Sequence, residues 1–300
     1  MTLVVRMAGL VLGMVASIIV ARALQPAGKG VFATVRASAS LAAAIPGLGV
    51  GKSLVYFVSK GELDRNELSA NALALSILSG LVATGVFVYL LYFAAGASEP
   101  IEGIPLTVVV ALPLAFVFSI QDWTAGYLRG RQKFVLLNSA VAMGSVLYVA
   151  VLLPLAWLQL LTPATALAAL VLSVVLPMGL HLLGMLKDGA LVLPEVRWSV
   201  TRILLSYGLA YQAYGLIQNL HYRLDLLLIS RFLGETEVGS YSTSANIAQL
   251  TWNLPVSVTL VLIPLVAGTA DESKSAGRTA QVVRLTGIAY ISGRELNRKS

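Results

Sequence analysis

Residues 135–160 read VLLNSAVAMGSVLYVAVLLPLAWLQL, twenty-six residues without one charged side chain. Wound as an α-helix at 1.5 Å per residue, the run is about 39 Å long, enough to cross a hydrocarbon core about 30 Å thick. A barrel strand would alternate apolar and polar positions, and this run does not. The same pattern recurs on both sides of it. Spans are expected near Leu3–Leu24, Val31–Ser59, Ala70–Ala95, Leu106–Leu128, Val135–Leu160, Ala164–Leu186, Ile203–Phe232 and Ser240–Ala267. The second and seventh exceed one bilayer thickness, so each should tilt or break, at Pro46-Gly47 in the second and at Gly208 or Gly215 in the seventh. Pro113, Pro154, Pro177, Pro255 and Pro264 fall inside spans, where neighbouring helices re-satisfy the carbonyls they free.

Composition points the same way. The chain is 57% hydrophobic and 12% charged, against about 25% charged in soluble domains, and its mean hydropathy is +0.83. The net charge of +7 sits in short connections between apolar runs rather than on one basic face, so nucleic acid is not an expected partner. There is no cysteine, hence no disulfide framework and no thiolate site. Arg6, the apolar stretch Met7–Val20 and Ala21-Arg22-Ala23 have the outline of a signal peptide, but the next apolar run follows within about ten residues, and an uncleaved first span is expected.

Cations in the connections orient the chain. With the N-terminus in the cytoplasm, the inner segments hold twelve: Arg6, Lys60, Arg65, Arg129, Arg131, Lys133, Lys187, Arg197, Arg202, Lys274, Arg278 and Arg284. The outer segments hold three, Arg22, Lys29 and Arg231. Trp157 and Trp198 fall at expected interfaces. The polar stretch Lys187–Thr201 divides the chain into a six-helix lobe over residues 1–190 and a partial second lobe over 191–300, ending in an apolar run, Val282–Ser292, too short to span. The expected architecture is an all-α, multi-pass membrane bundle of about eight helices in the cytoplasmic (inner) membrane.

Ionisable groups inside spans are costly, about 2.5–3.5 kcal/mol each at the bilayer centre on insertion scales, and mark cavities, pairs or functional groups. Arg36 and Lys52 lie in the second run, Arg223 and Asp225 in the seventh. Snorkelling of Lys52 and Arg36, or an Arg223–Asp225 pair, would also explain them. The seventh run further carries Tyr207, Tyr211, Tyr214, Gln218, His221 and Asp225 at spacings of 4, 3, 4, 3 and 4, one helical face. Such a stripe belongs against protein or water, as the wall of a cavity able to meet a sugar or as a hydrogen-bonded helix seam. His221 and Asp225 are the expected ion-coupling groups.

Signals for bond chemistry fail. Gly51-Lys52-Ser53 lacks the glycine five positions upstream that a phosphate loop needs, where Pro46 stands instead. The two histidines, His181 and His221, have no partner at metal-ligand spacing, and no Gly-x-Ser-x-Gly elbow occurs. Neither a metal, a cofactor nor an enzyme activity is expected.

Several short motifs occur in a telling order. Ala21-Arg22-Ala23-Leu24-Gln25-Pro26-Ala27-Gly28-Lys29-Gly30-Val31-Phe32 resembles the first external turn of polysaccharide and lipid-linked oligosaccharide flippases, with Gln25 where glycine is often found. Gly47-Leu48-Gly49 through Tyr56-Phe57-Val58 resembles their second span, and Leu128-Arg129-Gly130-Arg131-Gln132-Lys133-Phe134 with Asn138 their fourth-to-fifth turn. Tyr207-Gly208-Leu209, Arg223-Leu224-Asp225-Leu226-Leu227-Leu228, Val238-Gly239-Ser240-Tyr241, Leu254-Pro255 and Pro264 resemble the seventh and eighth helices. The resemblance, to the multidrug, oligosaccharidyl-lipid and polysaccharide exporter superfamily, implies two lobes about a central cavity and flipping of a polyprenyl-linked saccharide through the membrane lipid by alternating access. It implies that Arg36, Lys52 and Arg223 hold the anionic carrier, while Tyr207, Tyr211, Tyr214 and Gln218 meet the sugar. Family members have twelve or more spans, so the chain resembles a C-terminally short member, one that self-association or a complementing subunit would complete. A multidrug or cation antiporter of the same fold is the alternative, with a non-transporting fragment beside it.

Overall fold

In the computed structural model, which describes residues 2–95, 106–246 and 248, the described parts of the apolar runs are helical apart from short breaks. The helices are α1 (Thr2–Ala44), α2 (Val50–Lys60), α3 (Arg65–Ala95), α4 (Leu106–Gly130), α5 (Phe134–Trp157), α6 (Pro163–Lys187) and α7 (Trp198–Leu233), followed by α8 over 235–246. No strand occurs among the described residues. Among the described residues, five helices are long and apolar enough to span a membrane by length and composition, one of them the 38-residue stretch Met7–Ala44. The chain is an all-α, multi-pass membrane protein. The described residues up to Thr243 form one compact unit. Most of the eighth expected span, the tail beyond it and the connection 96–105 lie outside the described residues.

The 43 residues of α1 are two spans joined at one residue. Gln25 breaks the helical backbone, with φ 58° and ψ 173°, and Pro26 opens the second half, where its missing N–H costs nothing. A straight rod would hold Val5 and Ala44 about 58 Å apart, yet both line one cavity, so the two halves run side by side. That backbone region is nearly exclusive to glycine, so Gln25 occupies it under strain. The second expected run breaks where Pro46-Gly47 predicted, between Ala44 and Val50, with Leu48 and Gly49 both at positive φ. The seventh does not break. α7 is continuous through Gly208 and Gly215, because Gly208 is used for close packing instead of flexibility.

Small residues set the packing of α2, as membrane helices without a hydrophobic drive to associate require. A Cβ on Gly126 of α4 would run into the backbone of Gly51, and one on Gly208 of α7 would meet the carbonyl of Leu48. Two apolar cores form along α4. One joins both halves of α1 to Phe87, Leu114, Leu152 and Leu167, and the other joins Leu54, Leu68, Trp123, Leu128, Met185 and Leu204.

The cation-rich connections meet at one end of the bundle. Lys133 Nζ donates to Asp188 Oδ1 at 2.5 Å and Arg131 Nε to Asp188 Oδ2 at 3.4 Å, clamping the α4–α5 turn to the end of α6. Partial burial pushes the Asp188 carboxyl up, but the hydrogen bonds and charges of Lys133 and Arg131 outweigh it and hold the group below the usual carboxylate value. The polar stretch between α6 and α7 docks on α3. Ser69 Oγ donates to the Ala190 carbonyl at 2.8 Å, Arg197 pairs with Glu195 and Glu67, and the buried Asn71 Oδ1 accepts from Arg197 N–H at 2.6 Å and Thr201 Oγ1 at 3.1 Å. Trp157 and Trp198, at the ends of α5 and α7, are both exposed.

Candidate functional site

A cavity of about 1110 Å³ opens among α1, α2, α3, α4, α5, α6 and α7. Its charged lining is Lys52 on α2 with Asp122 and Arg129 on α4, joined by the polar side chains of Asn138, His181, Gln212, Gln218 and Asn219. Tyr211 and Tyr214 line it from α7.

The break between α1 and α2 forms part of this wall, and its loose backbone ends are closed by side chains from other helices. Helix ends leave unpaired N–H and C=O groups, costly where no water reaches them. The Gly49 N–H donates to Gln212 Oε1 at 3.1 Å, and Gln212 Nε2 donates to the Ala44 carbonyl. Thus one amide from α7 serves both sides of the break. The Gly51 N–H donates to Asp122 Oδ2 at 3.1 Å, placing a carboxylate at the positive end of α2. Ser53 Oγ donates to the Leu204 carbonyl at 2.6 Å.

The polar stripe on α7 reaches the cavity only in part. Tyr211, Tyr214 and Gln218 line it, together with Lys52, while Tyr207, His221, Asp225, Arg36 and Arg223 are not in its wall. The reason is length: Tyr207 to Asp225 spans about 27 Å of helix, and the stretch from Tyr211 to Asn219 about 12 Å. Below the cavity, Tyr207 stacks on Tyr56 with centroids 4.6 Å apart and lies 5.2 Å from Tyr211, extending an aromatic row toward the end of α2. Above it, the Tyr241 hydroxyl donates to Asp225 Oδ2 at 2.5 Å, and Asp225 Oδ1 accepts from its neighbour Leu226 N–H. Arg223 lies near enough to Arg36 and Asp225 for their charges to act on it, and Arg36 reaches Tyr148 in the same way. The ion pair the sequence suggested between Arg223 and Asp225 is not formed; the carboxylate is engaged by Tyr241 instead. His221 packs edge-on to Tyr222.

Several lining residues escaped the sequence reading of the site. Arg129, a connection cation by sequence, sits in the last turn of α4, where a cation complements the helix dipole. Gln212 and Asn219 flank the stripe by one residue each, a signal available in the spacing. His181 had been weighed only as a metal ligand. Among the described residues no cluster suited to a metal ion occurs. Lys52, Asp122 and Arg129 share the wall yet belong to no ion pair among the described residues.

A family model described as polysaccharide biosynthesis protein matches residues 19–292. No curated protein and no solved structure matches the chain.

Proposed function

The chain belongs to the polysaccharide biosynthesis protein family, and from that membership we propose that it flips or exports a lipid-linked oligosaccharide or polysaccharide precursor across the cytoplasmic membrane by alternating access. One observation carries the reading: a cavity of about 1110 Å³ with two cations that have no ion partner among the described residues and a row of tyrosine and amide side chains, lined by helices that are otherwise apolar. The phosphate of a polyprenyl carrier is an anion that Lys52 and Arg129 attract in a low-dielectric wall. Tyr211, Tyr214, Gln218 and Asn219 offer ring faces and hydrogen bonds to a sugar, and Tyr207 and Tyr56 extend that surface. Arg36 and Arg223 form a second cationic group above the cavity, a further station for the same anion, with Asp225 and His221 beside it as ion-coupling groups. The polyprenyl chain stays in the surrounding lipid.

The gathering of the α2–α3, α4–α5 and α6–α7 connections at one end supports a cytoplasmic N-terminus, because those connections hold most of the cations. Two lobes, 1–190 and 191–300, remain the working division, with self-association or a complementing subunit closing the second. Asp122, a carboxylate in the wall without an ion partner among the described residues, supports a second reading, a multidrug or cation antiporter of the same fold.

The test is flipping in proteoliposomes of a fluorescent polyprenyl-pyrophosphate saccharide, read as the fraction open to a membrane-impermeant quencher. The proposal expects a rate well above protein-free vesicles and a loss of at least about tenfold in Lys52→Gln with Arg129→Gln. A rate equal to that of empty vesicles overturns it. Export of an organic cation with no movement of the saccharide favours the antiporter.

A further inference from the structure

His181 sits on α6 in the wall of the cavity and is 4% exposed. Its Nδ1 lies 3.2 Å from Thr124 Oγ1 on α4, and its Nε2 is buried with no hydrogen-bond partner among the described residues. The hydrogen bonds of Thr124 decide which nitrogen bears the hydrogen. Thr124 Oγ1 already donates its one proton to the Gln121 carbonyl, at 3.1 Å. A hydroxyl has a single hydrogen, so toward His181 it accepts. With that hydrogen on the Gln121 carbonyl, Thr124 accepts from an Nδ1–H, and it is in this arrangement that Nε2 carries a bare lone pair.

A buried acceptor left without a donor is costly, and a core histidine that served packing alone would be free to turn its ring or exchange its tautomer. Here the Thr124 bond fixes both. The result is a base held in a defined direction within the wall of a polar cavity in a membrane protein. His221, the only other imidazole in the chain, lies outside that wall and packs on Tyr222.

We propose that His181 is a proton-exchange site built into the cavity wall, the group through which the bundle binds and releases a coupling proton. Uptake adds a proton to the Nε2 lone pair and gives an imidazolium that still donates through Nδ1 to Thr124; release restores the neutral ring. The elements packed on α6 are α1, α4 and α5. To the shared wall α4 contributes Asp122 and Arg129, α2 adds Lys52, and α1 and α5 contribute no ionisable group there, α5 adding Asn138. Arg129 is near enough for its charge to act on the ring. Proton uptake beside it needs a counter-charge, and Asp122 is the carboxylate on the same wall. The use of this proton for coupling rests on the transport reading above; its binding does not.

The test is nitrogen NMR of histidine-labelled protein in lipid nanodiscs, with His221→Gln leaving His181 as the sole imidazole. The proposal expects Nδ1 to bear the hydrogen at high pH and Nε2 to become protonated between about pH 5 and 8, and expects Thr124→Val to give a mixture of tautomers. A ring that stays neutral across that range, or one with its hydrogen on Nε2 at high pH, overturns it. In the flipping assay the wild type should show a limb of about one decade per pH unit, lost in His181→Gln; an unchanged limb in a folded variant also overturns it. The titration is read without transport, so a titrating His181 in a protein that moves no saccharide at any pH sinks the transport reading and keeps the proton site.

Discussion

The charged groups at the connection-rich end of the bundle and those in the cavity wall are treated in opposite ways. At the end, Arg131 and Lys133 share Asp188, and Arg197 joins Glu195 and Glu67. In the wall, Lys52, Arg129 and Asp122 have no ion partner among the described residues. The paired set needs no explanation beyond holding helices together. The unpaired set does, and on the function proposed above an anionic cargo would complete it.

The largest effect should come from prising apart the two helices that carry this contrast. Gly208→Val places a side chain against the Leu48 carbonyl and Ser53 and should cost about 3 kcal/mol, seen as a lower unfolding temperature in detergent. At the paired end, Asn71→Ala leaves the Arg197 N–H and Thr201 hydroxyl without their acceptor and should cost about 2 kcal/mol, again read by thermal unfolding. The wall should respond in the reverse sense. Lys52→Gln with Arg129→Gln should keep unfolding within about 0.5 kcal/mol of the wild type while lowering flipping at least about tenfold. A double variant that instead loses stability would erase the contrast.

The pH dependence of the Asp188 clamp is smaller. Its folded carboxyl titrates below the unfolded value of about 3.9, so the clamp's contribution is whole above about pH 4 and is lost as the pH falls through the lower folded value. Solvent screening keeps it below about 1 kcal/mol. Comparing acid unfolding of the wild type with Lys133→Met isolates it, since the variant should lose most of that step. The smallest change lies at the α1 turn. Gln25→Gly relieves a backbone region costing about 1–3 kcal/mol but adds unfolded-state entropy, and should raise stability by about 0.5–1 kcal/mol in thermal unfolding.

Helices were legible because length and hydrophobicity are local properties. The break at Pro46-Gly47 was legible for a similar reason, since both residues disrupt a helix wherever they stand. At Gly208 the same rule misled: glycine also permits two backbones to touch, and only the neighbour of Gly208, the α1–α2 break, decides which use applies. The α7 stripe shows the limit in another form. Its period placed six residues on one face, but a face has no end, and the cavity does. Tyr211, Tyr214 and Gln218 fall within it, while Tyr207 and Asp225 meet Tyr56 and Tyr241 instead.

What the amino acids determined by themselves is the solvent: twenty-residue apolar runs exclude water and must hydrogen-bond their own backbone, so the chain is helical and lies in a membrane. What only the tertiary structure decided is which polar side chains share a space. Asp122, Arg129 and His181 come from two helices, with Lys52 on a third, and the separation between them depends on glycine contacts and on a reversal at Gln25. No spacing along the chain encodes those distances, because they are set by how closely neighbouring helices pack.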